Sequence, residues 1–209
     1  MWQRAGTRRE NERRITMTLT KTFGLMTAAV LCAAGAANAA IFNYETSLSG
    51  PAESPPNASP GTGFATLVID TTLNTMTIDV SFSGLTGNTT AAHIHAATAA
   101  AGVGTAGVAT QTPTFSGFPL GVTAGTYNRL FDMTLTSSFN AAYITANGGT
   151  PASAFAALKA AIDAGKAYLN IHSSTFGGGE IRGFWAPVPT PGAASLLGVA
   201  GLAGLRRRR

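Results

Sequence analysis

The chain has 209 residues and a formal net charge of +5, but ten of its fourteen basic residues lie near its ends: Arg4, Arg8, Arg9, Arg13, Arg14, Lys21 and Arg206 to Arg209. Between Ile41 and Pro187 only Arg129, Lys159, Lys166 and Arg182 stand against Glu45, Glu53, Asp70, Asp79, Asp132, Asp163 and Glu180, a net of −3. That mildly acidic stretch of 147 residues with few aromatics is the right size for one domain with one core, and it has no electrostatic footprint for nucleic acid.

Residues 1–16 are polar and arginine-rich with no apolar pattern, so the true start is expected at Met17. From there Lys21 precedes an apolar run from Phe23 to about Ala37, and small Ala37 and Ala39 stand at cleavage spacing. This pattern reads as a secretory signal peptide, so residues 1–40 are an extension plus leader and the mature chain is expected to begin at Ala40 or Ile41. Neither arginine pair (Arg8–Arg9, Arg13–Arg14) has the hydrophobic spacing of a twin-arginine leader. Cys32, the only cysteine, follows Leu31 inside the apolar run, which argues against lipoprotein cleavage and leaves the mature domain without a disulfide.

The next 147 residues are β-rich. Phe42, Tyr44, Thr46 and Leu48 alternate, as do Met76, Ile78, Val80 and Phe82, with GFATLVID (Gly63 to Asp70) between them. Ser49 to Gly63 reads as a Pro/Ser/Gly loop too polar to pack, and Thr71 to Thr75 as a hairpin connection. Further strands are predicted at Ala91 to Ala97, Gly125 to Leu135, Ala167 to His172 and Glu180 to Trp185. Thr150 as cap, Pro151 at the first position, an apolar face of Phe155, Leu158 and Ile162, and Gly165 as terminator predict one helix. A short second helix is expected around Ser138 to Ala146. Mostly antiparallel strands with one or two inserted helices indicate an all-β fold: a β-sandwich of Greek-key, immunoglobulin-like or superoxide-dismutase-like type.

All three histidines fall in AAHIHAATAAAG (Ala91 to Gly102) and GKAYLNIHSSTFGGGEIRGFW (Gly165 to Trp185). The H-x-H strand followed by a small-residue loop, then Gly165, Tyr168, Asn170 and His172, then Gly178-Gly179-Glu180-Ile181-Arg182-Gly183, resembles the CHRD domain, a module named from chordin. The resemblance covers about Ile41 to Trp185 and implies an extracellular β-sandwich; it brings no catalytic activity with it.

Strand residues i and i+2 share a face, so His93 and His95 point together, away from Ile94, and Tyr168, Asn170 and His172 point together, away from Leu169 and Ile171. If the strands are neighbours, the three imidazoles converge, an acceptable set for zinc or copper with an open fourth position. The H-x-H strand is also similar to the ligand strand of copper/zinc superoxide dismutases, but there is no fourth histidine, bridging ligand or cysteine pair. The leading reading has the histidines pinning strands by hydrogen bonds to backbone carbonyls and to one another; metal binding competes. Glu180 and Arg182, on one face, are expected to form a register-fixing ion pair; Tyr168, Asn170, Glu180 and Arg182 are otherwise candidates to support the histidines from behind. Gly177 to Gly179 is expected to turn tightly at positive φ. Gly102 to Gly107 satisfies G-x-G-x-x-G literally, but without a βαβ setting it is read as a flexible small-residue loop.

At the far end, Val188-Pro189-Thr190-Pro191-Gly192 leads into an apolar run and then Arg206, Arg207, Arg208 and Arg209. This order resembles the PEP-CTERM sorting signal, with Thr190 where that family usually has Glu. The run from Gly192 to Leu205 would make roughly 21 Å of helix against a hydrocarbon core of about 30 Å, which suits transient membrane contact through residues 192–205 better than a permanent span. The three segments are therefore 1–40, 41–187 and 188–209.

The reading is of a non-enzymatic CHRD module acting in binding or adhesion, exported to the cell envelope, surface or matrix of a Gram-negative-type bacterium. Its expected partners are the secretion machinery, an exosortase-type sorting enzyme and an extracellular polysaccharide or matrix protein. The alternative is a copper- or zinc-dependent redox or hydrolytic enzyme using His93, His95 and His172.

Overall fold

A computed structural model describes residues 41–188. The leader expected in 1–40, and the sorting residues Pro189, Pro191, Gly192 and Arg206 to Arg209, lie outside the described residues.

Three nine-residue strands, β1 (Ile41–Ser49), β2 (Thr62–Asp70) and β3 (Thr75–Ser83), form an antiparallel meander in full register. Their alternation is the one in the sequence: Tyr44, Leu48, Ala65, Leu67, Ile69, Met76, Ile78, Val80 and Phe82 are buried, while Glu45, Thr66 and Asp79 face solvent. The β2–β3 turn closes because the Asp70 carboxylate accepts the backbone N–H groups of Thr72 and Leu73 (2.8 and 2.9 Å), and Asn74 takes the left-handed conformation that asparagine tolerates.

The remaining strands are β4 (Thr89–His95), β5 (Gly125–Asp132), β6 (Tyr168–Ser173), β7 (Ile181–Phe184) and β8 (Ala186–Pro187). All eight make one antiparallel sheet in the order β4-β6-β7-β1-β2-β3-β5, with β8 beside β1. It curls into a half-barrel around one core, an all-β, sandwich-like architecture with two short α-helices. Strand β5 stops three residues before the expected Leu135, because the Asp132 carboxylate folds back onto the N–H and hydroxyl of Thr134. Strand β4 starts and ends two residues earlier than expected. Its outer edge is covered by the connection to β5, whose Ala109, Phe115 and Gly121 N–H groups donate to the carbonyls of Ile94, Ala92 and Thr89.

Helix α1 (Ala141–Ala146) begins later than expected, because Asn140 is its cap and Thr136–Ser138 is a separate 3₁₀ turn. Helix α2 (Pro151–Asp163) has a reciprocal cap: Thr150 Oγ1 accepts the Ser153 N–H at 3.1 Å, and Ser153 Oγ accepts the Thr150 N–H at 3.2 Å. It ends where Gly165 turns to φ 65° and the N–H groups of Gly165 and Lys166 donate to Ile162 and Ala161. Its buried face of Phe155, Leu158 and Ile162 joins Leu169 and Ile171 in the core. At its last turn the Tyr44 hydroxyl donates to Asp163 (2.5 Å), fastening helix to β1.

Candidate metal centre

Strands β4, β6 and β7 are buried on both faces. Ala92, Ile94, Leu169, Ile171 and Ile181 enter the hydrophobic core; His93, His95, Tyr168, Asn170 and Arg182 are buried on the opposite, polar face. The register places His95 opposite Tyr168, His93 opposite Asn170 and Ala91 opposite His172, so His172 lies diagonal to His93, within reach of a long side chain.

The three rings meet. Their centroids are 5.8 Å apart for His93 and His95, 5.3 Å for His93 and His172, and 5.9 Å for His95 and His172. Each ring gives one nitrogen to a backbone carbonyl: His93 Nε2 to Pro113 (2.7 Å), His95 Nδ1 to Ala106 (2.9 Å) and His172 Nδ1 to Gly177 (3.0 Å). A carbonyl has no proton to give, so those nitrogens carry the hydrogens and the tautomers are set. The other nitrogens, His93 Nδ1, His95 Nε2 and His172 Nε2, are then lone pairs. They lie within 4.8 Å of one another, buried and without a partner.

Burial lowers the pKa of all three, that of His95 to about 4, so the cluster is neutral at physiological pH. Neutral rings arranged this way have no proton to share among themselves. The carbonyl bonds expected of strand-pinning histidines are present; the bonds expected between the histidines are not. One water offers two hydrogens to three acceptors, and each buried acceptor left unmet costs about 1–3 kcal/mol. A single cation accepts all three lone pairs. Nitrogens around a zinc-sized ion at about 2.0–2.1 Å sit roughly 3.4 Å apart, so side-chain adjustments of about an ångström complete the set. The carbonyl contacts are the outer support that metal-bound histidines normally have.

Tyr168 stacks on His95 (4.9 Å, 6° between planes) and also meets the Arg182 guanidinium, 4.8 Å from its ring centroid. The expected Glu180–Arg182 pair does not form. Glu180 precedes the first residue of β7, so strand alternation does not carry it to the face of Arg182. It accepts from Ser59 Oγ (2.6 Å) and from the backbone N–H groups of Thr86 and Gly87. Burial pushes its pKa up, but these bonds and one from Ser173 hold it below the usual carboxylate range. Arg182 instead donates to the carbonyls of Ala52 (2.5 Å) and Gly104 (2.9 Å) and pairs with Glu53 at 3.6 Å.

Glu53 is the residue that sequence reasoning missed. It sits in the loop expected to be too polar to pack, yet it is 7 % exposed, and Ser59 of the same loop is buried. Burial raises its carboxyl to about 7 against the opposing pull of Arg182. Of the three glycines expected to turn, only Gly179 has a left-handed φ, 134°; a β-carbon there would come within 2.7 Å of both Asn170 and Glu53. The Gly102 to Gly107 segment is an irregular, small-residue loop, and it lies over the polar face: the carbonyls of Gly104 and Ala106 accept from Arg182 and His95.

The sequence model of the CHRD domain matches residues 44–185, more than half of the chain, and spans every residue of this cluster. No curated protein and no solved structure matches the chain. By the extent of that match, the chain belongs to the CHRD-domain family.

Proposed function

We propose that this protein is an exported, non-enzymatic CHRD module for binding or adhesion at the cell envelope or in the extracellular matrix, and that it holds one transition-metal ion on His93, His95 and His172. The observation that carries the metal is the convergence of three buried lone pairs, each fixed by a carbonyl behind it. Copper and zinc both suit imidazole. Burial of the three donor atoms favours a structural ion over a redox or hydrolytic centre, because a catalytic metal keeps a position that substrate can reach. The ion would clasp β4 to β6 in a domain without cysteine.

Export is supported by CHRD membership, since this domain is generally found in secreted proteins, and by the leader pattern from Met17. Sorting by an exosortase-type enzyme is supported by the order of prolines, apolar run and arginines after Val188. Deleting Gly192 to Arg209 should leave the domain folded and release or misdirect it; unchanged localisation would refute the sorting role.

The metal is tested on the purified protein by elemental analysis and by melting with and without chelator. About one equivalent of metal, with a lower melting temperature after chelation, is expected, because an ion that binds only the folded state stabilises it by mass action. Chelator should not move the melting temperature of His95→Ala. A wild-type protein that takes up no copper or zinc returns the histidines to a purely structural role.

A further inference from the structure

We infer that the three-histidine centre selects monovalent copper over zinc and over divalent copper. This rests on the metal reading above and adds the identity of the ion. The donors are three neutral imidazole nitrogens, and no aspartate, glutamate or cysteine among the described residues joins them. Whatever ion enters therefore keeps its full charge at a buried position. The cost of burying an ion grows with the square of its charge, so a dication pays about four times what a monocation pays.

The surroundings act in the same direction. The nearest charged group along the stack is the Arg182 guanidinium, which lies against Tyr168 while Tyr168 lies against His95. The acid beside Arg182, Glu53, is 3.6 Å from the guanidinium and is not among the converging donors. A second positive charge on the ion meets repulsion from Arg182 without a ligand carboxylate to offset it. Coordination number agrees as well. Monovalent copper is content with two or three nitrogens, whereas zinc and divalent copper take at least one further donor, ordinarily a water, which would have to enter where the three converging nitrogens are shut off from solvent.

The test is competition on the purified full chain under anaerobic, reducing conditions, with a chromogenic chelator for monovalent copper and parallel titrations of zinc and of divalent copper in air. Monovalent copper is expected to bind one per chain at least a thousandfold more tightly than zinc, and X-ray absorption should show two or three nitrogen neighbours. His172→Glu places an anionic donor at the site and should narrow that ratio at least tenfold in favour of zinc. Zinc or divalent copper binding as tightly as monovalent copper would overturn the selectivity and leave the three-histidine centre standing. Failure of the wild type to hold any of the three ions would overturn both.

Discussion

The sheet has two halves built on opposite rules. In β1, β2, β3 and β5 one face is apolar and buried and the other is wet, so single hydrophobic residues such as Phe64 and Leu130 stand 45 % and 60 % exposed without consequence. In β4, β6 and β7 both faces are buried, one under the apolar core and one under the loops that carry Glu53 and Ala106. The first half needs only water on its outer face. The second withholds solvent from its polar atoms, so each side chain depends on a particular partner.

The comparison breaks most visibly at the core face of the second half. Ile171→Ala should cost about 2–4 kcal/mol, read as a lower urea midpoint, because the residue is fully buried in the hydrophobic core. A midpoint equal to wild type would invert the two faces. Next is the buried carboxylate just ahead of β7, where Glu180→Gln replaces one accepting oxygen with an NH2 that must face a donor, the N–H of Thr86 or of Gly87. A loss of about 1–3 kcal/mol is expected at pH 7. Because the Glu180 carboxylate is held below its ordinary range, its contribution is lost as pH falls through that depressed pKa; the variant should lose less on acidification.

Glu53 has the opposite sign. Its folded carboxyl near 7 keeps a proton that the unfolded chain releases near 4.5, so its contribution is greatest at low pH and declines as pH rises through 7. Metal-free Glu53→Gln should gain on the order of 1 kcal/mol relative to wild type between pH 6 and pH 8, measured by denaturation of both proteins at each pH. The three histidines have the opposite sign: the unfolded chain takes up protons near 6.5 that the buried rings refuse, so they add stability as pH rises through the lower part of this window, and they cancel in the difference between variant and wild type. The smallest effect belongs to the wet face: Phe64→Ala should stay within about 0.5 kcal/mol of wild type.

The first half was legible from sequence because its alternation has one buried and one solvated side, and a period of two needs no partner to be read. The same period placed His93 with His95 and Tyr168 with His172, and it would have done so for any pair of neighbouring strands. It failed at Glu180, where the strand had not yet begun. It was silent on Glu53, because a proline- and serine-rich loop has no period and its contact with Arg182 is distant in the chain. The carbonyls of Pro113, Ala106 and Gly177 were unreadable for another reason: every residue carries one, and only the fold decides which faces a histidine.

The Ala106 peptide joins two of these contacts. Its carbonyl accepts from His95 while its N–H donates to the Tyr168 hydroxyl at 3.3 Å. Lifting this one peptide frees the His95 ring to rotate or change tautomer and unfastens the aromatic ring stacked against it. If the histidines hold the proposed ion, its escape would be a property of loop opening, and its rate should track hydrogen exchange at the Ala106 amide.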